Sequence, residues 1–260
     1  MLRPLSRQLV PAVVALLTVT ACRGSAPARA ADPTAPSTTD APKTVGTTST
    51  TVAPTTTIAA RVTAPPTTAQ LAFTGTVAAV TAAQLGKSYH AGCPIDPSAL
   101  RMLRLSYWGF DNRPHVGALV VNAAVTQPVL TVFATLYRAR FPVRRMTTVA
   151  AFGGDDKASM AADNTSGFNC RFVVASQPPR WSVHAYGEAI DVNTVENPYV
   201  AEQSGTVLPP AGSAYLDRRN LRPGMAAPGT ALNDAFASVG WFWGGRWASP
   251  DYQHFSKNGG

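Results

Sequence analysis

The sequence has little charge for its length. Charged residues make up 14% of its 260 residues, and the formal net charge is +8. Half of that surplus lies in residues 1–70, which carry six basic and two acidic groups. No run of Lys and Arg is long enough to form a phosphate-binding stripe, so the basic balance does not predict a nucleic-acid partner.

Long apolar runs are also missing. The longest, Leu9–Val19, follows Arg3 and Arg7 and is too short to span a bilayer as a stable helix. A basic start, a short apolar run and small residues before a cut are typical of a signal peptide, so export is expected. The sequence Val-Thr-Ala-Cys that ends at Cys22 resembles a bacterial lipobox, in which the Cys is lipidated; an ordinary secretory cleavage after Ala21 or near residue 30 is the alternative.

Cysteine is scarce, and the count of three is odd. A lipidated Cys22 accounts for one of them. Cys93 and Cys170 then form an even pair in a compartment that permits disulfides, so we expect them to be bonded to each other. The expected location is the cell envelope, either lipid-anchored to the outer face of the cytoplasmic membrane or secreted. No other membrane contact is expected, and the protein is expected to be monomeric.

Composition divides the chain into three parts. Residues 1–22 are the predicted lipoprotein signal peptide. Residues 31–70 contain 14 Thr and 6 Pro without hydrophobic periodicity, so 23–70 is predicted to be a disordered linker. Residues 71–260 have the composition of one folded domain of ordinary size.

The domain shows neither an internal repeat nor a regular alternation of strands and helices. Residues 99–107 fit a helix or a strand equally well. Thr126 is expected to cap a helix whose apolar face recurs at helical spacing. Mixed elements of this kind predict an α+β domain with a small antiparallel sheet flanked by helices. The expected strands are Phe73–Val80, Val116–Val121 and Val143–Phe152; the expected helices begin at Thr126, with Val129, Val132, Phe133, Leu136 and Tyr137 on the apolar face, and at Ala231.

Histidine is rare as well: the chain has four. His90 and His115 have no partner at ligand spacing and are expected to be structural. His184 lies in Ser-x-His-x-x-Gly-x-Ala-x-Asp, which ends at Asp191, and His254 lies in Asp-x-x-His, which begins at Asp251. Two His and one Asp can hold Zn²⁺ and leave a fourth position for water.

The two motifs together resemble the zinc D-Ala-D-Ala carboxypeptidase and L-alanyl-D-glutamate peptidase family, over roughly residues 155–256. The resemblance implies a Hedgehog/D-Ala-D-Ala peptidase-like fold and a zinc cofactor. It makes His184, Asp191 and His254 the zinc ligands and Asp251 the catalytic base. Glu188 is the competing candidate for the base.

The sequence departs from the family pattern in two places. The Ser-Gly-Tyr-Arg-Ser element that precedes the first His in many members is absent, so Arg171, and after it Arg145, are the candidates for its substrate-binding Arg. Ser256 stands where many relatives have Glu. Ser182 is also assigned to substrate binding or to orienting the ligand His, because a residue two positions from His184 lacks the geometry of a nucleophile.

The expected function is hydrolysis of peptidoglycan stem peptides, with D-alanyl-D-alanine carboxypeptidase activity as the leading hypothesis. An endopeptidase that cuts L-Ala-D-Glu or a cross-bridge is one alternative. A non-catalytic wall-binding domain that keeps the fold is the other, with Cys93 and Cys170 as further zinc ligands. The tryptophans at 241, 243 and 247 are expected to pack rather than to bind sugar.

Overall fold

The longest regular structure is an antiparallel meander of three strands. The computed structural model describes residues 72–174 and 176–259. Strand β1 (Gly75–Ala79) pairs with β2 (Leu100–Trp108), and β2 pairs with β3 (Pro114–Asn122) in a register that sets Leu103 opposite Leu119. The strands expected near residues 73–80 and 116–121 are confirmed, and the ambiguous segment 99–107 is a strand.

Helix α2 (Thr126–Arg138) covers one face of this sheet. The five apolar side chains that the spacing placed on one face are all buried. Four of them, all but Tyr137, pack with Leu103, Leu105 and Leu119 into the main hydrophobic core. Burying one such side chain stabilises the fold by about 1.5–3 kcal/mol, so the amphipathic face is what holds α2 on the sheet.

The start of α2 differs from the prediction that Thr126 is its cap. The cap position is Val125, and Thr126 is the first helical residue. A 3₁₀ turn, Ala123–Val125, precedes the helix, and the Asn122 side chain accepts a hydrogen bond from the Ala124 N–H. Because Asn122 caps this turn, the chain enters α2 already in helical conformation and needs no side-chain cap there.

Besides α2 and several 3₁₀ turns, the described residues form three short α-helices: α1 (Ala82–Leu85), α3 (Asp156–Ala161) and α4 (Ala231–Ala237). Helix α4 confirms the helix expected to begin at Ala231. Thr230 caps it by accepting a hydrogen bond from the Asn233 N–H. Its buried Phe236 stacks on Phe255, with ring centroids 4.1 Å apart, and so ties α4 to the strand that bears His254.

A second antiparallel sheet carries the candidate chemistry. Its strands are β4 (Ala189–Asp191), β7 (Phe242–Trp243) and β8 (His254–Ser256), with β8 in the centre. The pairing of β4 with β8 sets Asp191 directly opposite His254. A separate two-stranded ribbon joins β5 (Tyr199–Val200) to β6 (Val207–Leu208). Antiparallel sheets and scattered helices confirm the α+β class.

The prediction of a strand over residues 143–152 is wrong. This segment makes one isolated bridge, between Met146 and Thr165, and ends in a 3₁₀ helix, Val149–Phe152. Side-chain amides take the place of a neighbouring strand: Asn164 accepts a hydrogen bond from the Thr147 N–H and donates one to the Thr147 carbonyl. A strand-like composition therefore became an irregular segment, because part of its backbone hydrogen bonding goes to side chains.

A disulfide joins Cys93 to Cys170, as expected, across 77 residues of sequence. It links the segment that precedes β2 to the segment that leads toward His184. The predicted signal peptide (1–22) and linker (23–70) lie outside the described residues. No helix among the described residues combines the length and the apolar character needed to cross a bilayer.

Gly187 ends the 3₁₀ turn Val183–Tyr186 with a left-handed backbone, φ +67°. A Cβ at this position would lie 2.6 Å from the backbone N of Asn122. Glycine is therefore required twice, by the backbone conformation and by the close approach of the turn to β3.

We expect Gly187→Ala to lower the free energy of unfolding by about 3 kcal/mol, since both left-handed strain and overpacking act there. Gly153→Ala is the matched control. Gly153 ends a similar turn with φ +66°, and a Cβ added to it would meet nothing within 4 Å. The control is expected to lose only about 1 kcal/mol. Urea unfolding of both variants measures the difference, and equal losses would contradict the close-approach argument.

Candidate metal centre

Three side chains, two from one motif and one from a distant segment, meet at one point. His184 lies in the turn Val183–Tyr186, Asp191 ends β4, and His254 begins β8. His184 Nε2 is 3.1 Å from His254 Nδ1. Asp191 spans the pair, with Oδ2 3.2 Å from His184 Nε2 and Oδ1 3.3 Å from His254 Nδ1. All three side chains are buried.

The orientation of His184 is fixed by the backbone behind it. Its Nδ1 lies 2.7 Å from the Gly167 carbonyl oxygen. A carbonyl can only accept a hydrogen bond, so Nδ1 carries the proton and donates it. The lone pair of neutral His184 is then on Nε2, which faces Asp191 and His254, as a metal ligand requires.

Charge is concentrated at this buried point. Burial alone would raise the pKa of Asp191, but His184 and His254 outweigh it and hold that pKa far below its usual range. Burial opposes the charged form of His184, yet the carboxylate of Asp191 raises the His184 pKa above its ordinary value. Burial, together with the neighbouring His184, lowers the pKa of His254. The centre therefore holds one carboxylate that needs positive charge beside it.

The three residues fit a divalent metal ion. The facing atoms lie 3.1–3.3 Å apart, close to the edge of about 3.4 Å in a tetrahedron with zinc–ligand distances of about 2.0–2.1 Å. Asp191 Oδ1 is buried, and no described residue makes a hydrogen bond with it. These three side chains are one of two groups among the described residues whose ligand atoms cluster closely enough to hold an ion.

The other group is His90, Cys93 and Cys170. Its two sulfurs form the disulfide, so they offer no thiolate to a metal. His90 nevertheless lies beside Cys93, and His115 Nε2 lies 3.0 Å from Asp111 Oδ1. The prediction that these two histidines lack partners at ligand spacing is therefore wrong, although both contacts are at exposed positions.

Asp251 lies at the start of the turn that leads into β8. Its backbone N–H donates to the Gly244 carbonyl, and its own carbonyl accepts from the His254 N–H. A Cβ on Gly244 would lie 3.2 Å from Asp251 Cβ and equally close to His254 Cβ. The glycine thus lets a neighbouring loop pack tightly against the candidate base and a candidate ligand.

The carboxyl group of Asp251 is strongly perturbed. Its Oδ1 atom is buried, and no described residue makes a hydrogen bond with it. Burial, reinforced by the negative charge of Asp191, raises the pKa of Asp251 to about 8. A carboxyl group with a pKa close to neutral is suited to take up and return a proton at physiological pH.

Glu188, the competing candidate for the base, is engaged elsewhere. Its Oε1 lies 3.3 Å from Lys257 Nζ, at a partly exposed position. The carboxyl group of Asp251, in contrast, is buried, and the charges of Asp191 and His184 act on its pKa. Burial and this electrostatic coupling distinguish Asp251 from Glu188.

Ser182 is buried and precedes the turn that bears His184. Its hydroxyl accepts a hydrogen bond from the His184 backbone N–H at 3.3 Å. That contact corresponds to the orienting role considered for this residue. Ser256 is fully buried in β8, and its hydroxyl has no hydrogen-bond partner among the described residues.

The two candidate arginines lie in different surroundings. The positive charge of Arg171 contributes to the pKa shifts of His184, His254 and Asp251, so its guanidinium lies near the centre. Arg145 is exposed, and its charge acts on Tyr107 instead. Of the two, Arg171 is the one whose charge acts on the residues of the centre.

Two contributors to the site were missed from the sequence. The Gly167 carbonyl, which fixes His184, is a backbone group and leaves no residue-type signal. Asp156, in the first turn of α3, forms an ion pair of 3.0 Å with Arg171 Nε. From the sequence, a carboxylate in the first turn of a helix is expected to interact with the helix dipole. Only the tertiary fold brings Asp156 to Arg171.

Residues 176–257 match the family described as D-alanyl-D-alanine carboxypeptidase. No curated protein and no solved structure matches the chain. The matched segment includes His184, Asp191, Asp251 and His254, but not Arg171. It supports the resemblance drawn from the two motifs: residues 176–257 are similar to the family described as D-alanyl-D-alanine carboxypeptidase.

Proposed function

We propose that the protein is a zinc-dependent hydrolase of peptidoglycan stem peptides, and that its activity is D-alanyl-D-alanine carboxypeptidase. The observation that carries the proposal is the buried cluster of His184, Asp191 and His254 with Asp251 beside it. The family match supports the peptidase class. We further propose the Hedgehog/D-Ala-D-Ala peptidase type of fold, and attachment of the exported chain to the cell envelope through Cys22.

His184, Asp191 and His254 would hold the zinc ion. Bound there, zinc would lower the pKa of a water molecule and polarise the scissile carbonyl. The Asp251 carboxylate takes a proton from the attacking water and passes it to the leaving amine. Gly167 and Ser182 hold His184 in the orientation that presents Nε2.

Arg171 supports the carboxypeptidase assignment over the endopeptidase alternative. A carboxypeptidase substrate ends in a free carboxylate, which needs a cation close to the reacting bond. Asp156 engages Arg171 at Nε, and no described residue pairs with its two terminal nitrogens. Those nitrogens can receive a carboxylate in the bidentate manner typical of arginine.

Two features oppose a non-catalytic wall-binding domain. A structural zinc site normally has four protein ligands, whereas three facing side chains form this cluster. The cysteines that could have added ligands are joined to each other. A perturbed carboxyl group beside three ligands is also an arrangement that structural zinc does not require.

His184→Ala is expected to remove the metal, since it takes away one of three ligands. The purified protein should retain about one zinc per chain after dialysis, and the variant close to none. His115→Ala is the control, because His115 contacts Asp111 away from the cluster. Elemental mass spectrometry measures both. Full zinc retention by His184→Ala would show that the ion binds elsewhere.

Asp251→Asn is expected to lower kcat by about 10²–10⁴-fold while zinc stays bound, because an amide cannot accept the proton. Glu188→Gln serves as the matched control, since its carboxylate pairs with Lys257. Turnover of a D-Ala-D-Ala-ended pentapeptide distinguishes the two. If Glu188→Gln is inactive and Asp251→Asn active, the assignment of the base is reversed.

Mass spectrometry of the reaction products identifies the peptide bond that is cut. Muropeptides incubated with the zinc-loaded protein should lose one D-Ala, which identifies a carboxypeptidase. Cleavage of L-Ala-D-Glu or of a cross-bridge would identify the endopeptidase, and intact muropeptides would contradict the proposed function.

Arg171→Ala is expected to raise KM for the D-Ala-D-Ala-ended substrate by about tenfold, since a charge-assisted hydrogen bond contributes about 1.5–3 kcal/mol. Arg145→Ala provides the comparison at an exposed position and should leave KM unchanged. The same pentapeptide with an amidated C-terminus should be insensitive to Arg171→Ala. Equal sensitivity of both substrates would remove the carboxylate-binding role.

A further inference from the structure

A groove of about 380 Å³ lies beside the metal centre. Its wall includes Trp243, Trp247 and Phe242 from the segment between α4 and β8. Asp234 of α4 and Arg246 also line it. Its volume falls in the range of about 300–1,000 Å³ that is usual for small-molecule sites.

One side chain connects the wall of the groove to the candidate metal centre. Trp247 lines the groove, and its ring centroid lies 5.1 Å from that of the His254 imidazole. Phe255, the residue after His254, lines the groove as well. The aromatic wall of the groove therefore reaches into ring contact with His254.

Two of the aromatic rings that line the groove are exposed to solvent. Phe242 is 56% exposed and Trp247 is 37% exposed, whereas Trp241 is 7% exposed and packs against Phe236. Trp241 thus packs as expected, whereas Trp247 stands at the wall of the groove with its ring partly exposed. Adjacent exposed aromatic rings at a concave surface are typical of a binding site.

The aromatic wall is held in place. The Trp243 indole N–H donates to the Tyr252 carbonyl at 2.9 Å, next to Asp251. Phe242 and Trp243 also pair with β8 as strand β7. Phe242 and Trp243 therefore lie on a strand that is paired with the strand bearing His254, and little ordering entropy is lost when a ligand stacks on them.

The polar groups suit a sugar. A pyranose ring has an apolar C–H face that stacks on aromatic rings, and hydroxyl or acetamido groups around its edge. Arg246 and Asp234 supply planar donors and acceptors at the groove, and neither side chain pairs with another described residue. A site of aromatic faces with a few unpaired planar polar groups matches that chemistry better than it matches a purely apolar ligand.

We propose that this groove binds an N-acetylated amino sugar of the glycan strand to which the hydrolysed stem peptide is attached. The inference rests on the proposed function, because that function places peptidoglycan at the metal centre. It makes Phe242 and Trp247 a stacking surface that positions polymeric substrate relative to His254. Soluble stem peptides without sugar would leave this groove empty.

The test uses the β-1,4-linked tetramer of N-acetylglucosamine, titrated into the purified protein by isothermal calorimetry. Wild type is expected to bind with one site per chain, and Phe242→Ala to bind about tenfold more weakly. Trp247→Ala is the second variant and should also weaken binding. Phe172→Ala is the matched control, a 48% exposed Phe that does not line the groove, and should bind like wild type.

Thermal unfolding of each variant verifies that it is folded. Absence of tetramer binding by wild type, or equal binding by wild type and Phe242→Ala, would overturn the proposal. A second readout is the ratio of activity on sacculi to activity on free pentapeptide, which Phe242→Ala should lower. The tetramer carries no peptide, so failure of the proposed hydrolase function with retained tetramer binding would leave the sugar site standing.

Discussion

The carboxylate of Asp191 between two histidines is the contact on which the rest of the site depends. It lies 3.2 Å from His184 and 3.3 Å from His254, in a buried setting where isolated charge is costly. An ionised carboxylate in such a place needs cationic partners, which protonated histidine or a metal ion can provide. The antiparallel pairing of β4 with β8 holds this arrangement, since it sets Asp191 opposite His254.

The surrounding structure supports that contact from several sides. The turn that ends at Gly187 packs on β3, so the large sheet fixes the position of His184. Phe236 stacks on Phe255, so α4 fixes the strand that carries His254. The disulfide restrains Cys170, the residue directly before Arg171. It thereby helps to hold the Arg171 cation near the centre. Each restraint acts on the backbone next to a functional side chain, as preorganised sites require.

One strand pair also links the candidate chemistry to the proposed sugar site. Strand β8 contributes His254 to the metal centre and Phe255 to the groove. Strand β7 presents Phe242 outward, while Trp243 bonds to the carbonyl beside Asp251. A polymeric substrate that stacks in the groove would therefore be aligned by the same backbone that aligns the candidate base.

Periodicity and motif spacing were enough to predict α2, the helix at Ala231, the α+β class and a pairing of Cys93 with Cys170. Those features depend on local pattern or on simple counting. The segment 143–152 shows the limit, because a strand-like composition could not reveal that Asn164 would take its hydrogen bonds. For the same reason, the sequence did not predict the contact of the Gly167 carbonyl with His184 or the ion pair of Asp156 with Arg171. Both contacts join segments that are separate in the sequence.

By itself, the sequence determined which residue types are available for a metal centre and which segments carry them. Only the tertiary structure decided that Nε2 of His184 faces the centre, that the charges of Asp191 and His184 act on the buried Asp251 carboxyl group, and that Glu188 pairs with Lys257. It also decided that Phe242 and Trp247 remain exposed beside that centre. The physical reason is that orientation, burial and electrostatic coupling arise when separate segments pack together, and local sequence carries no record of that packing.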